Sequence, residues 1–230
     1  MLKKLAFASF ASAALLVSGA ANAMVVNGNF EDVTTMDPTG LVKGNKLSNL
    51  ATTGSSWDVF SEISGWKTTN GAGIEVQTNR TLGSIDAHSG QHYIELDSHP
   101  RANSNSTMSQ DVSLGVGSYE LSFWYSPRNN DASSNGIEYS VDGLLLGSIT
   151  GPSASTLTAV GTWTLVKALF KVETAGDYTL SFAATGKQNT LGGFVDTVSI
   201  TAVPIPAAGF LLPVGLGLLG YASRRRKAAA

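Results

Sequence analysis

The sequence predicts an all-β protein, an antiparallel β-sandwich, and two observations carry that expectation. Between Val25 and Thr201, apolar and polar residues alternate with a period of two in short runs, which is the pattern of half-buried strands. Turn residues punctuate the runs, and no segment of this region shows the 3.6-residue apolar stripe of a helix. Many short strands with frequent turns favour two packed sheets.

Taken in chain order, residues 1–23 have the layout of a secretory signal peptide. Lys3 and Lys4 precede the apolar run Leu5 to Val17, and Ala21-Asn22-Ala23 supplies a small-x-small cleavage site. A signal helix, its removal by signal peptidase, and a mature start near Met24 are expected. Residues 24–202 then form one domain, long enough for a real core. Residues 32–65 are rich in Thr, Ser, Gly and Asn with few apolar anchors; they predict a long loop with a short strand near Trp57. Ile74-Val76, Leu121-Phe123, Ile137-Tyr139-Val141, Leu180-Phe182 and Val198-Ile200 supply inward-facing positions of successive strands. Asp142-Gly143 suits a tight hairpin. Three tryptophans, Trp57, Trp66 and Trp163, are expected in the core.

The C-terminal segment, 203–230, is of another kind. Val203-Pro204-Ile205-Pro206-Ala207 leads into an uncharged apolar stretch reaching Ser223, and Arg224-Arg225-Arg226-Lys227 follows. An apolar run of this order of length crosses a bilayer, and the basic cluster marks the cytoplasmic side. A transmembrane helix is therefore expected here. Six of the fifteen Lys and Arg lie in the two terminal segments, while all seventeen Asp and Glu lie between them. The middle domain is thus acidic, which argues against nucleic acid, whose binding depends on neutralised phosphates. The chain has no cysteine, so no disulfide supports the domain outside the cytoplasm.

The tail resembles the PEP-CTERM class of bacterial sorting signals in its Val-Pro-Leu-Pro-Ala variant, with Ile205 in place of leucine. That resemblance implies an exosortase, a membrane protease-transpeptidase, as processing partner. The middle is similar to the galactose-binding-like jelly-roll superfamily, which includes many carbohydrate-binding modules. The similar segments are Asn27-Gly28-Asn29-Phe30-Glu31, Ile63-Ser64-Gly65-Trp66, Ser89-Gly90-Gln91-His92-Tyr93-Ile94-Glu95-Leu96-Asp97, Gln110-Asp111-Val112, Leu121 to Arg128 and Gly193 to Ser199. The resemblance implies a structural calcium near the first and last strands. Glu31 and Asp196 are its expected ligands, since two adjacent carboxylates need a cation between them and oxygen ligands suit Ca²⁺. The family pattern often carries two acidic residues in the terminal strand, whereas Thr197 follows Asp196 here.

Strand alternation puts Tyr93, Glu95 and Asp97 on the face away from Ile94 and Leu96, and Trp124 opposite Leu121 and Phe123. Aromatic plates flanked by carboxylates suit a sugar, which offers a C–H face and a rim of hydroxyls. Arg128 is the expected clamp for that rim. The expected ligand-binding set is therefore Tyr93, Glu95, Asp97, Trp124 and Arg128. Cysteine nucleophile, G-x-S-x-G elbow and H-E-x-x-H helix are all missing from the sequence. Gly215 to Gly220 matches G-x-G-x-x-G but lies in the apolar tail without a preceding strand. The sequence thus predicts an exported, non-catalytic carbohydrate-binding protein of the cell envelope or extracellular matrix, with extracellular polysaccharide as partner. A matrix or biofilm protein without a small ligand and a glycan-active enzyme are the alternatives.

Overall fold

The computed structural model describes residues 25–50, 56–82, 85–100, 102–142, 144–152 and 159–204. The expected signal peptide and nearly all of the expected sorting tail lie outside these residues. Among the described residues no helix is long and apolar enough to cross a membrane.

Twelve strands form the domain: β1 (Trp57–Phe60), β2 (Glu62–Ile63), β3 (Trp66–Asn70), β4 (Ile74–Thr78), β5 (His92–Glu95), β6 (Thr107–Leu114), β7 (Gly117–Ser126), β8 (Gly136–Val141), β9 (Leu144–Ile149), β10 (Thr164–Val172), β11 (Gly176–Thr185) and β12 (Phe194–Ala202). One sheet has the order β1-β4-β5-β12-β7-β10 and the other β2-β3-β6-β11-β8-β9. All the pairings are antiparallel, and the chain crosses repeatedly between the sheets. The expected antiparallel two-sheet sandwich is what forms.

Alternation decides which side chains meet between the sheets. Leu121, Phe123 and Tyr125 of β7 face Tyr139 and Val141 of β8 and Leu180 and Phe182 of β11 within one apolar cluster. Phe123 packs edge-on against both Tyr139 and Phe182, with ring centroids 4.9 and 5.0 Å away. Trp66 joins the core as expected, but Trp57 and Trp163 stay partly exposed outside it. Val141 pairs with Leu144 across the expected hairpin, and Asp142 takes a φ of 52° there.

Two readings of the N-terminal half need correction. Residues 26–29 form a turn, not a first strand. That turn plugs the sandwich edge: Phe30 is buried beside Trp66, whose indole N–H donates to Asn27 O (3.2 Å). The Val198 amide donates to Gly28 O at 2.7 Å, and a Cβ on Gly28 would lie 2.1 Å from Val198 O. The 32–65 segment holds more order than a loop. Buried Asp58 accepts the amides of Val42, Lys43, Asn45 and Val59 at 2.8–3.2 Å, pinning residues 41–45 to β1.

Because Phe182 closes the centre of the core, Phe182→Ala should lower unfolding free energy by about 3–5 kcal/mol. Chemical denaturation at constant m-value checks this.

Candidate functional site

The outer face of the β1-containing sheet carries the chemistry, because its inner face is already committed to the core. Register lines up Val59, Glu75, Glu95, Phe194 and Ser126 in one row across β1, β4, β5, β12 and β7. Trp57, Gln77 and Tyr93 form the next row, which continues through Asp196 and Trp124 to Leu165.

The left and centre of this face hold a buried polar chain. The Gln77 amide donates to Glu75 Oε1 (2.9 Å) and to Glu95 Oε2 (2.5 Å). Glu95 Oε2 also takes the Arg128 guanidinium, and Glu95 Oε1 accepts the Gly192 amide at 2.7 Å. Arg128 donates onward to Thr190 O at 2.9 Å. On the other side Glu75 Oε2 binds the backbone N–H (3.0 Å) and Nδ1 (2.9 Å) of His99. The His99 ring stacks on Trp57 at 4.4 Å, and the Lys43 ammonium sits 3.8 Å from the Trp57 ring centre. Burial, then the nearby Glu75 charge, pushes the Glu95 carboxyl well above its usual range against the pull of Arg128. For Arg128, burial works downward, and Glu95 more than offsets it.

This geometry corrects three of the expected ligand contacts and a fourth role. Tyr93, Glu95 and Asp97 do share the outer face or its edge, yet each is 0 % exposed. Asp97 accepts the Ser104 hydroxyl and the amides of Asn189 (3.1 Å) and Leu191 (3.0 Å), so it fastens loop 186–193. Arg128 is a strap between loops: its side chain is 15 % exposed, and its Nη1 donates to both Glu95 and Thr190 O. His99 completes the arrangement together with Glu75, Gln77 and Asn135, three polar residues not singled out in sequence. Asn135 binds the carbonyls of Asn129, Asp131 and Gly151 at 2.8–3.0 Å and caps the Arg128 amide at 2.9 Å.

The right of the face is aromatic and reaches solvent. Trp124, as expected, points outward; the His88 ring lies on it at 4.0 Å and 16°. Trp163 meets His88 and Tyr93 edge-on at 6.3 and 6.0 Å, and its indole N–H donates to Asp86 O at 2.8 Å. Trp124, Trp163 and His88 are all partly exposed, and Leu165 beside them is 42 % exposed. His88 Nδ1 shares a 2.8 Å hydrogen bond with Thr197 Oγ1, which fixes the ring. Burial lowers the His88 pKa.

Glu31 and Asp196 bind different parts of the turn at residues 88–92. Glu31 Oε1 accepts the amides of Gln91 and His92, both at 2.7 Å, and Oε2 takes His92 Nδ1 at 2.9 Å. Burial pushes the Glu31 pKa up, but His92 and these amides outweigh it and leave the pKa lowered. Asp196 accepts the amides of Ser89 (3.1 Å) and Thr197 (2.5 Å), at a bulge where Thr197 has a φ of 51°. These residues do not fit the expected Ca²⁺ site, because every carboxylate oxygen already faces a hydrogen-bond donor. Among the described residues no group of three or more His, Cys, Asp or Glu is placed to hold a metal.

A concavity of about 200 Å³ lies on the other sheet. The Lys67–Asp111 ion pair and buried Trp66 form part of its wall, so it offers no exposed aromatic plate.

No family model and no curated protein matches the chain. Among solved structures it is similar to TmCBM61 in complex with β-1,4-galactotriose, at 22 % identity over 62 % of this chain and 92 % of that one, with a TM-score of 0.42. The K1 cleaved adhesin domain of Lys-gingipain from Porphyromonas gingivalis W83 gives 16 %, 64 %, 98 % and 0.45 for the same quantities. The carbohydrate-binding module CBM6cm-2 from Cellvibrio mixtus lichenase 5A, in complex with cellotriose, gives 15 %, 60 %, 92 % and 0.40.

Two predictions follow from the buried groups. Arg128→Ala leaves Glu95 buried without its cation, so stability should drop by about 3 kcal/mol, in the range for breaking a buried pair; denaturant titration reads it. Asp196 is an acid whose pKa burial raises from 3.8 to about 7 in the folded state. The folded protein then holds a proton that the unfolded chain has lost between these values, so stability falls as pH rises through that window. Asp196→Asn removes this contribution. Its melting temperature relative to the parent should therefore climb from pH 4 to pH 7 and level off above; a difference independent of pH would refute the assignment.

Proposed function

We propose that this protein is an exported, non-catalytic carbohydrate-binding domain whose ligand lies on the outer-face aromatic cluster of Trp124, Trp163 and His88. One observation carries the reading. These rings sit on the solvent side of a sheet whose other side is the core, so packing of the main core does not account for their position. Fixed, partly exposed aromatic rings suit the C–H face of a sugar. Ser122, two residues before Trp124 on the same strand, supplies a hydroxyl partner for its rim. The mechanism is reversible recognition: no bond is made or broken, and preorganised rings limit the ordering cost on binding.

Tyr93, Glu95, Asp97 and Arg128 support the site from below instead of touching ligand. Export rests on the signal-peptide pattern of residues 1–23. Processing by signal peptidase and an exosortase-type enzyme rests on that pattern and on Val203 to Ala207 with the apolar and basic tail. The partner class is an extracellular polysaccharide at the cell envelope or in the matrix.

A screen of residues 24–203 against bacterial exopolysaccharides, followed by calorimetric titration, tests the reading. Trp124→Ala should weaken binding roughly tenfold, equivalent to about 1.4 kcal/mol, with the melting temperature nearly unchanged. Equal affinity in parent and variant would remove the cluster from the site. Absence of binding to every glycan would favour the matrix protein without a small ligand.

A further inference from the structure

Among the described residues, five of the nine large exposed apolar side chains lie toward one end of the sandwich, the others being Val26, Leu41, Val42 and Leu165. Val116 in the β6–β7 turn is 63 % exposed, Leu144 and Leu145 at the start of β9 are 61 % and 56 %, Leu169 on β10 is 71 %, and Val203 after β12 is 38 %. Register places them together in height. Gly117 pairs with Val172, Tyr119 with Ala202, and the Val203 amide donates to Ser118 O at 2.8 Å. Leu169 pairs with Glu120, close to that end, and the Leu144 hairpin hangs beside the lower half of β11. The opposite end is polar, with exposed Asn103, Asn130, Asp131, Lys187 and Gln188.

An apolar patch of this kind marks an interaction surface, and the chain path says which partner meets it. The chain leaves the sandwich at this end, through Val203 and Pro204. Three residues, spanning about 10 Å when extended, separate Pro204 from the uncharged apolar stretch that begins at Ala208. With that stretch in a bilayer, this end cannot move far from the membrane surface. The cations flanking Leu169, Lys167 and Lys171, are paired with Glu120 (2.7 Å) and Glu173 (2.8 Å). Asp142 and Asp177 at the same end are exposed without an ion-pair partner among the described residues, so the contact suits a zwitterionic surface and not an anionic one.

We infer that this end is a membrane-docking surface, on which Val116, Leu144, Leu145, Leu169 and Val203 enter the headgroup region of the bilayer that holds the C-terminal segment. Docking stands the domain upright until the tail is removed, with the polar loop end outward. The inference rests on the membrane-spanning reading of the tail and is independent of the glycan reading.

The test uses the full chain in nanodiscs of zwitterionic lipid. Because the chain has no cysteine, single substitutions Leu144→Cys, Leu169→Cys, Gln188→Cys and Leu218→Cys each carry one environment-sensitive fluorophore. Labels at 144, 169 and 218 should shift to the blue and be quenched by spin-labelled lipid, while the label at 188 stays in water. A bilayer-embedded label at 218 with water-exposed labels at 144 and 169 would overturn the docking surface while keeping the tail. A water-exposed label at 218 would overturn both and leave the glycan reading intact. Shielding at 144 and 169 that persists without lipid would assign the patch to a second copy of the chain, against the inference.

Discussion

The interaction on which the upper half of the molecule depends is the buried carboxylate of Glu95. It sits at the end of β5 with no solvent access, and an unpaired charge there would be prohibitive. Its partners come from three directions: Arg128 from the β7–β8 loop, Gly192 from the β11–β12 loop and Gln77 from β4. Through Gln77 the chain of contacts runs to Glu75, His99 and Trp57, reaching Lys43 in the long N-terminal segment. Loops that share no strand and little apolar area are thereby held by one network. Such networks are costly when incomplete and confer order when satisfied, and this one turns polar, glycine- and asparagine-rich loops into a fixed rim.

That constraint also explains how the outer face divides. Toward β1 and β4 the polar network occupies it, with Glu75 and Glu95 buried and Arg128 Nη1 engaged. Toward β7 and β10 the described face is finished with rings, beside the buried carboxylate of Asp196. Trp163 stands there on a smaller apolar cluster of Ile85, Tyr93 and Phe194, and His88 links it to Trp124. The domain is polarised lengthwise too, from a polar loop end to the apolar end where the chain departs.

The strands were legible because burial on one face writes a period of two into the sequence. Leu121, Phe123, Tyr139, Val141, Leu180, Phe182, Val198 and Ile200, picked from that alternation, are all buried. Trp124 was legible for the same reason. What alternation does not record is whether a loop lies over a face: Tyr93, Glu95 and Asp97 point outward from their sheet and are buried all the same. Arg128 looked like a clamp because its tethering carboxylate is 33 positions away in sequence. Asn27 to Glu31 suggested a strand, but the segment is recognisable because Asn27, Gly28 and Glu31 each bind a different element, near Trp66, Val198 and His92. Lys43 and Asn45 folding around Asp58 left no periodic trace, so the order in the long N-terminal segment was invisible.

The tryptophans offer the most direct test of where a glycan binds, because each of the four indole N–H groups gives a separate nuclear magnetic resonance signal. Trp66 reports the core, Trp57 the polar network, and Trp124 and Trp163 the aromatic cluster. Titration with a bound oligosaccharide should shift the Trp124 and Trp163 signals together and leave Trp57 and Trp66 in place. Shifts confined to Trp57, or to backbone amides of the loop end with Trp124 and Trp163 unmoved, would contradict the account.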